Sequence, residues 1–219
     1  MKRTIARTAC LLAAAAIVAT ARPARAAETF AAGVHGGFQH DVGNFAAYNP
    51  AVEVDPENTF LLGASFFLNY GRGFFRFGFD TTILFNRGRI IEDPGQVERI
   101  NRYAINYTAL PAFIGIRFDI FDRGAVYLGA GATYFLASGR INFKSTDAEE
   151  EITANIVGYG FILGGQINLT RNACLYLEWQ YVSGRSQALL NTSAEYTWYN
   201  LALDMTGNRY FLGCRYYLF

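Results

Sequence analysis

The sequence predicts an all-β fold, a membrane-spanning antiparallel up-and-down barrel of eight strands. Three observations lead there. Apolar residues recur with a period of two in eight segments. The connections between those segments alternate between tight turns and long polar stretches. Beyond an N-terminal leader no segment reaches 18 consecutive apolar residues, the length read as a membrane helix, although the chain is 16% aromatic with 19 Phe, 14 Tyr and 22 Gly. A membrane barrel uses aromatic girdles at both interfaces and Gly where its interior is crowded.

The leader is read first. Lys2, Arg3 and Arg7 precede an apolar run from Ala9 to Ala19, and Ala24-Arg25-Ala26 supplies a small-x-small cleavage pattern. The expected domains are a signal peptide over 1–26 and a barrel over 27–219. Export removes five basic residues and no acids, which leaves 14 basic against 18 acidic residues and no basic surplus suited to nucleic acid. Cys174 and Cys214 would remain. Periplasmic export permits a bridge between them, but both fall in apolar stretches, where a lone Cys usually acts as a small hydrophobe, and spacing alone does not establish bridging geometry.

The strands follow in order. The first is short of apolar residues: Phe30, Ala32, Val34 and Phe38 alternate with Gly33, His35, Gly37 and Gln39. The second alternates Phe60, Leu62, Ala64, Phe66, Leu68 and Tyr70 with small or polar partners. The third sets Phe75, Phe77 and Phe79 against Arg76, Gly78 and Asp80. The fourth runs from about Arg102 to Asp119, with Leu110, Ala112, Ile114, Ile116 and Phe118 on one face; Pro111 has no amide hydrogen to donate and is expected to mark a bulge. The fifth carries Val126, Leu128, Ala130, Ala132, Tyr134 and Leu136. The sixth carries Val157, Tyr159, Phe161, Leu163 and Ile167, the seventh Leu175, Leu177, Trp179 and Tyr181, and the eighth Tyr210, Leu212, Cys214, Tyr216 and Leu218. None of these runs has the 3.6 period of a helix. The second face is mostly Gly, Ala, Ser and Thr with a few charges, which suits a narrow interior better than a solvated exterior.

Three connections are tight, at 70–73, 121–124 and 169–172, and four are long, at about 41–58, 87–101, 138–153 and 184–206. With an even strand count and an exported N-terminus, the termini and short turns are expected in the periplasm and the long loops outside the cell.

The chain stops at Arg215-Tyr216-Tyr217-Leu218-Phe219. Here it resembles outer-membrane proteins whose last strand ends in Phe and is read by the barrel-assembly machinery, which implies Tyr217 and Phe219 as an assembly signal. The whole of 27–219 resembles small eight-stranded barrels of the OmpX, OmpW and Opa kind, and Leu110-Pro111 with Gly115 in a Tyr-rich strand resembles the generic outer-membrane β-barrel domain. The resemblance implies residence in the bacterial outer membrane.

Candidate chemistry is sparse. The chain has two His, His35 and His40, and no His-x-Ser arrangement, so the hydroxyl nucleophile with its base that acyl chemistry needs is not legible. No catalytic residue, cofactor or metal site is expected. Gly158-Tyr159-Gly160 and Gly129-Ala130-Gly131 lie in alternating strands, outside the strand–loop–helix context of a nucleotide loop. Asp147, Glu149, Glu150 and Glu151 in the third long loop are candidate contacts for divalent cations shared with lipopolysaccharide, or a solvated charge run. Arg87 and Arg89, with Arg99 and Arg102 nearby, are candidate donors to lipopolysaccharide phosphates.

Alternation turns Arg76, Asp80, Arg117, Glu178 and Arg215 inward. Isolated charges in a narrow interior are costly, so they are expected to pair: Glu178 with Arg215, Arg76 or Arg117 reaching Glu178 across the lumen, and Asp80 above them. The functional expectation is a non-enzymatic structural or surface barrel acting through its extracellular loops, with a lumen closed by this network. The alternative is a narrow channel or an OmpW-like conduit for small hydrophobic molecules. The surface partner is not legible.

Overall fold

The computed structural model describes residues 29–47, 52–56, 59–83, 86–92, 99–120, 123–143, 148–186 and 201–218. The expected signal peptide, Asp147 and Phe219 lie outside these residues.

Eight antiparallel strands form the membrane wall: β1 (Thr29–His40), β4 (Thr59–Tyr70), β5 (Gly73–Thr82), β7 (Arg99–Ile120), β8 (Gly124–Phe143), β9 (Ala148–Asn168), β10 (Ala173–Ser183) and β12 (Gly207–Tyr217). Each neighbours the next, β12 pairs with β1, and β7 pairs with both β5 and β8, so the sheet closes. Closure pairs each of the eight strands on both sides over its lower part, the condition for strands to cross hydrocarbon. The amide of Leu218 donates to the Phe30 carbonyl at 2.8 Å and ties the segment after β12 to β1. Gly71, with φ of 59°, lets the β4–β5 turn close in two residues.

The residues expected to face lipid do point outward. Phe77, Leu128, Leu163 and Leu177 are all exposed large apolar side chains on the outer surface. The two cysteines lie on opposite faces, Cys174 buried and Cys214 exposed, and both are free thiols.

Two expectations are corrected by the course of the strands. Pro111 causes no bulge. Phe77 pairs with Ala112 and Asp80 with Ala109, the same register on either side of the proline, so the missing donor only interrupts the β5–β7 ladder. The register shifts above it instead: from Thr81↔Thr108 to Asn86↔Ile105, one strand advances five residues and the other three.

The stretches read as the second and third long loops are largely wall. β6 (Asn86–Glu92) continues the line of β5, pairs with the upper part of β7, and pairs in turn with β3 (Val52–Pro56). β7, β8 and β9 run 22, 20 and 21 residues, about twice what a bilayer crossing needs. Period-two alternation persists there with the outer set changed in character. Tyr103, Ile105, Phe135, Ala137 and Ile141 are buried inside, while Arg102, Ser138, Arg140 and Asn142 face out. Such a segment reads as a loop when an apolar outer face is the criterion. It is a strand whose outer face has left the hydrocarbon.

Gly131 and Gly160 face one another across β8 and β9 on the inner surface. A Cβ at Gly131 would collide with the Ala112 carbonyl oxygen, and one at Gly160 with that of Tyr181. Tight coiling of a small barrel brings neighbouring backbones together on the concave side. Gly160→Ala is therefore expected to destabilise the barrel by about 1–3 kcal/mol in urea unfolding, the usual cost of overpacking. Gly165→Ala, whose Cβ would find nothing nearer than 3.9 Å, is the matched control and should change little.

Candidate functional site

The barrel interior is built in three tiers along its axis. Nearest the tight turns lies an apolar cluster of Ala31, Phe67, Phe74, Phe113, Tyr127 and Ile162. Phe67 and Phe74 stack with centroids 4.9 Å apart, and Tyr127 meets both edge-on at 5.1 and 5.4 Å. This corrects the expectation of an inner face made mainly of small residues. In a barrel this narrow, side chains from opposite walls meet at the axis, so aromatic rings can supply the filling.

The middle tier is charged. Arg76, Asp80, Glu178, Arg209 and Arg215 are each 0 or 1% exposed. Glu178 is the centre of one half. Its carboxylate lies 2.9 Å from Arg76 Nε and 2.8 Å from Arg215 Nη2, and it accepts from the Tyr127 hydroxyl at 2.6 Å. Asp80 is the centre of the other half, 2.5 Å from Arg209 Nη2 and 2.6 Å from His35 Nε2. Gln180 joins the halves: its amide nitrogen donates to Glu178 at 3.4 Å, and its oxygen accepts from Arg209 at 3.3 Å. His35 Nδ1 lies 2.8 Å from the Tyr176 hydroxyl. A neutral imidazole with its proton on Nε2 donates to Asp80 and accepts from Tyr176, which satisfies both nitrogens.

Aromatic faces lie against two of the three cations. The Arg215 guanidinium carbon lies 4.0 Å from the Tyr176 ring centre and 4.2 Å from that of Phe67; Arg209 lies 4.9 Å from Phe211. In a buried site such contacts replace part of the lost hydration. Three guanidiniums against two carboxylates leave the tier one positive charge in excess with His35 neutral.

Of the charges expected to meet, Arg76, Glu178 and Arg215 do so directly. Asp80 lies on the loop side of them and is joined through Arg209. Arg117 is not in the group. It lies four residues nearer the turn end than Phe113, beyond the aromatic cluster, and pairs with Asp119 at 2.9 Å. Alternation gives its direction correctly but not its depth. Sequence reasoning left out Arg209, His35, Tyr127, Tyr176 and Gln180. Arg209 and His35 both occupy the polar set of their alternating strands, a signal that was available. The Tyr residues look like any other barrel aromatic until register places their hydroxyls.

The upper tier is apolar again. Two short strands, β2 (Asn44–Ala47) and β11 (Leu201–Asp204), come from the first and last long connections and pair with each other. Asp41 and Gly43, with φ of 67° and 78°, reverse the chain after β1. Val42, Phe45, Leu203 and Met205 are buried in one cluster with inward residues of the wall, among them Leu61, Tyr103, Ile105, Phe135 and Phe211. Phe45 meets Tyr103 edge-on at 5.1 Å, and the Tyr103 hydroxyl donates to the Asn44 side chain at 3.2 Å.

A closed eight-stranded wall with apolar residues outward and charges inward is the arrangement of an outer-membrane barrel. The outer membrane protein β-barrel domain matches residues 10–206. The chain belongs to that family. Its members' residence in the bacterial outer membrane accounts for the lipid-facing surface found here. Among solved structures, the outer membrane protein OprG from Pseudomonas aeruginosa is similar at a TM-score of 0.52 and 11% identity, covering 89% of this chain and 97% of that one. The attachment invasion locus protein Ail of Yersinia pestis is similar at 0.48 and 12%, covering 88% and 100%; Neisserial surface protein A at 0.48 and 12%, covering 86% and 96%. At these identities the likeness is one of fold. No curated protein sequence matches the chain.

The remaining candidate residues of this family member divide by position. Tyr217 faces inward against the lower apolar cluster, and its hydroxyl accepts from Gln166 at 2.5 Å. Arg87 and Arg89 are exposed on β6. Glu149, Glu150 and Glu151 fall in β9 rather than in a loop, and Glu151 lies 3.4 Å from Arg140. Among the described residues no cluster of three or more His, Cys, Asp or Glu is placed to hold a metal ion.

Proposed function

We infer that this outer-membrane barrel is a closed, non-enzymatic envelope protein whose working surface is its extracellular rim. The observation that carries this is the three-tier interior. Rings from facing walls meet below, a continuous chain of hydrogen bonds crosses the middle, and β2 and β11 bring Phe45 and Leu203 into an apolar layer above. An ion on the axis would have to displace all three. His35, the buried histidine of the two that have a carboxylate beside them, has both ring nitrogens engaged inside the wall, which supports a packing role over a general base. The signal peptide over 1–26, recognition by the assembly machinery and contact with lipopolysaccharide belong to the same reading.

The test is conductance. The full chain, folded into planar bilayers and checked for insertion by its heat-modifiable gel migration, is expected to give no stepwise openings at ±100 mV. Steady unitary currents from correctly inserted protein would overturn the closed reading in favour of the channel alternative.

A further inference from the structure

We propose that the charged middle tier holds a monovalent anion, a halide such as chloride, on the inner wall between Arg76 and Thr133. This goes beyond the closed-interior reading, and unitary currents in a bilayer would leave it standing.

The first ground is charge. Arg76, Arg209 and Arg215 face two carboxylates, Asp80 and Glu178, and all five side chains are buried. With His35 neutral, one positive charge has no counterpart in the tier. An unbalanced charge inside a protein is costly, and one bound anion removes the imbalance. Arg76 is the guanidinium with donors to spare. Its Nε faces Glu178 at 2.9 Å, while Nη1 and Nη2 have no partner among the described residues. The Glu178 carboxylate is already engaged: Oε1 accepts from Tyr127 and Arg215, and Oε2 meets Arg76 Nε and Gln180. Asp80 has one oxygen against His35 and the other against Arg209.

The second ground is place. Phe77 pairs with Ala112 and Asp80 with Ala109, so Gly78 stands opposite Pro111. Pro111 pairs with Thr133, and Thr133 with Gly158. The four form one row on the inner face of β5, β7, β8 and β9. Arg76 extends along β5 onto that row. Its Nη1 lies 2.9 Å from where a Cβ on Gly78 would stand, and the Pro111 ring lies 3.1 Å from the same point. On the other side of the proline the Thr133 hydroxyl is fully buried, and it too has no partner among the described residues. The proline ring presents only carbon and the glycines present no side chain. Arg76 and Thr133 thus bring donors to the two sides of an apolar floor. The side chains with an acceptor to spare, in Gln39, Asn69 and Asp119, stand on β1 or at the turn end.

The third ground is chemistry. A guanidinium donates and cannot accept. Water at this place brings two donors of its own where acceptors are short, and it leaves the charge unbalanced. A halide only accepts, takes several donors from any direction, and carries the one negative charge that the tier lacks. A divalent anion would reverse the imbalance.

The experiment uses the full chain folded in detergent micelles. Crystals grown with bromide in place of chloride should show an anomalous peak in contact with Arg76 and Thr133. Urea unfolding is then followed at constant ionic strength, with gluconate replacing chloride. Once the site is more than half filled, each tenfold rise in chloride should lower the unfolding constant about tenfold. Thr133→Val should need about tenfold more chloride for the same effect, the worth of one hydrogen bond to a charged group. Arg76→Gln, which removes the spare donors and the excess charge together, should abolish the dependence. Arg185→Gln at the rim should retain it. If Arg76→Gln fails to fold, the wild-type bromide peak and the Thr133→Val shift decide. The proposal is overturned by bromide at surface arginines alone, or by a wild-type unfolding constant that ignores chloride. Undiminished chloride dependence in folded Arg76→Gln overturns it equally.

Discussion

Glu178→Gln is expected to lower the unfolding free energy by about 3–5 kcal/mol, the cost of removing one partner from a buried ion pair. The substitution keeps shape and acceptor oxygen and removes only the charge. Arg76 and Arg215, at 2.9 and 2.8 Å from the carboxylate, would then share an interior with one remaining anion, Asp80, already held by Arg209. The discriminating measurement is a series. Adding Arg215→Gln should recover part of the loss, and adding Arg76→Gln should recover more, because each step removes a stranded cation. Recovery stops short of wild type, since Arg215 also contributes its contacts with the Phe67 and Tyr176 rings. Urea unfolding from lipid vesicles reads all three. A single variant costing under about 1 kcal/mol, or a double variant no better than the single, would show that the carboxylate does not balance these cations.

Leu177→Arg is expected to cost about 2–4 kcal/mol, the figure for a cation on the lipid face near the bilayer midplane. Leu177 is 62% exposed and central in β10, so no interior contact is lost and the effect is one of transfer. Ser138→Arg, on the outer face of β8 above Leu136, should cost no more than about 1 kcal/mol, as found near the interface. The contrast locates the boundary at which the wall leaves the hydrocarbon. Equal costs at both positions would place Ser138 inside the membrane.

The two predictions draw on different kinds of information. The lipid face, the strand count and the tight turns were legible because a period of two assigns every strand residue to a face. Leu177 points outward and Glu178 inward wherever the strand sits. The upper wall was legible in principle, since Tyr103, Ile105 and Tyr107 alternate as plainly as Ile114 and Ile116. It was missed because its outer residues are polar, a sign of where the membrane ends rather than of where the strand ends.

Alternation along the chain thus gives direction: which side chains enter the barrel and which meet lipid. Depth comes from the closed fold. Arg117 and Arg209 both face inward by alternation, yet Arg209 reaches Asp80 and Arg117 stays at the turn end with Asp119. Glu178 and Arg76 lie on strands remote in sequence, and β2 and β11 come from opposite ends of the chain. Their meeting depends on the stagger of all eight strands, which is set once the sheet closes with a given tilt and number of strands. Alternation is local and repeats every two residues. Stagger is a property of the closed ring, and it alone brings charges from distant strands to one level.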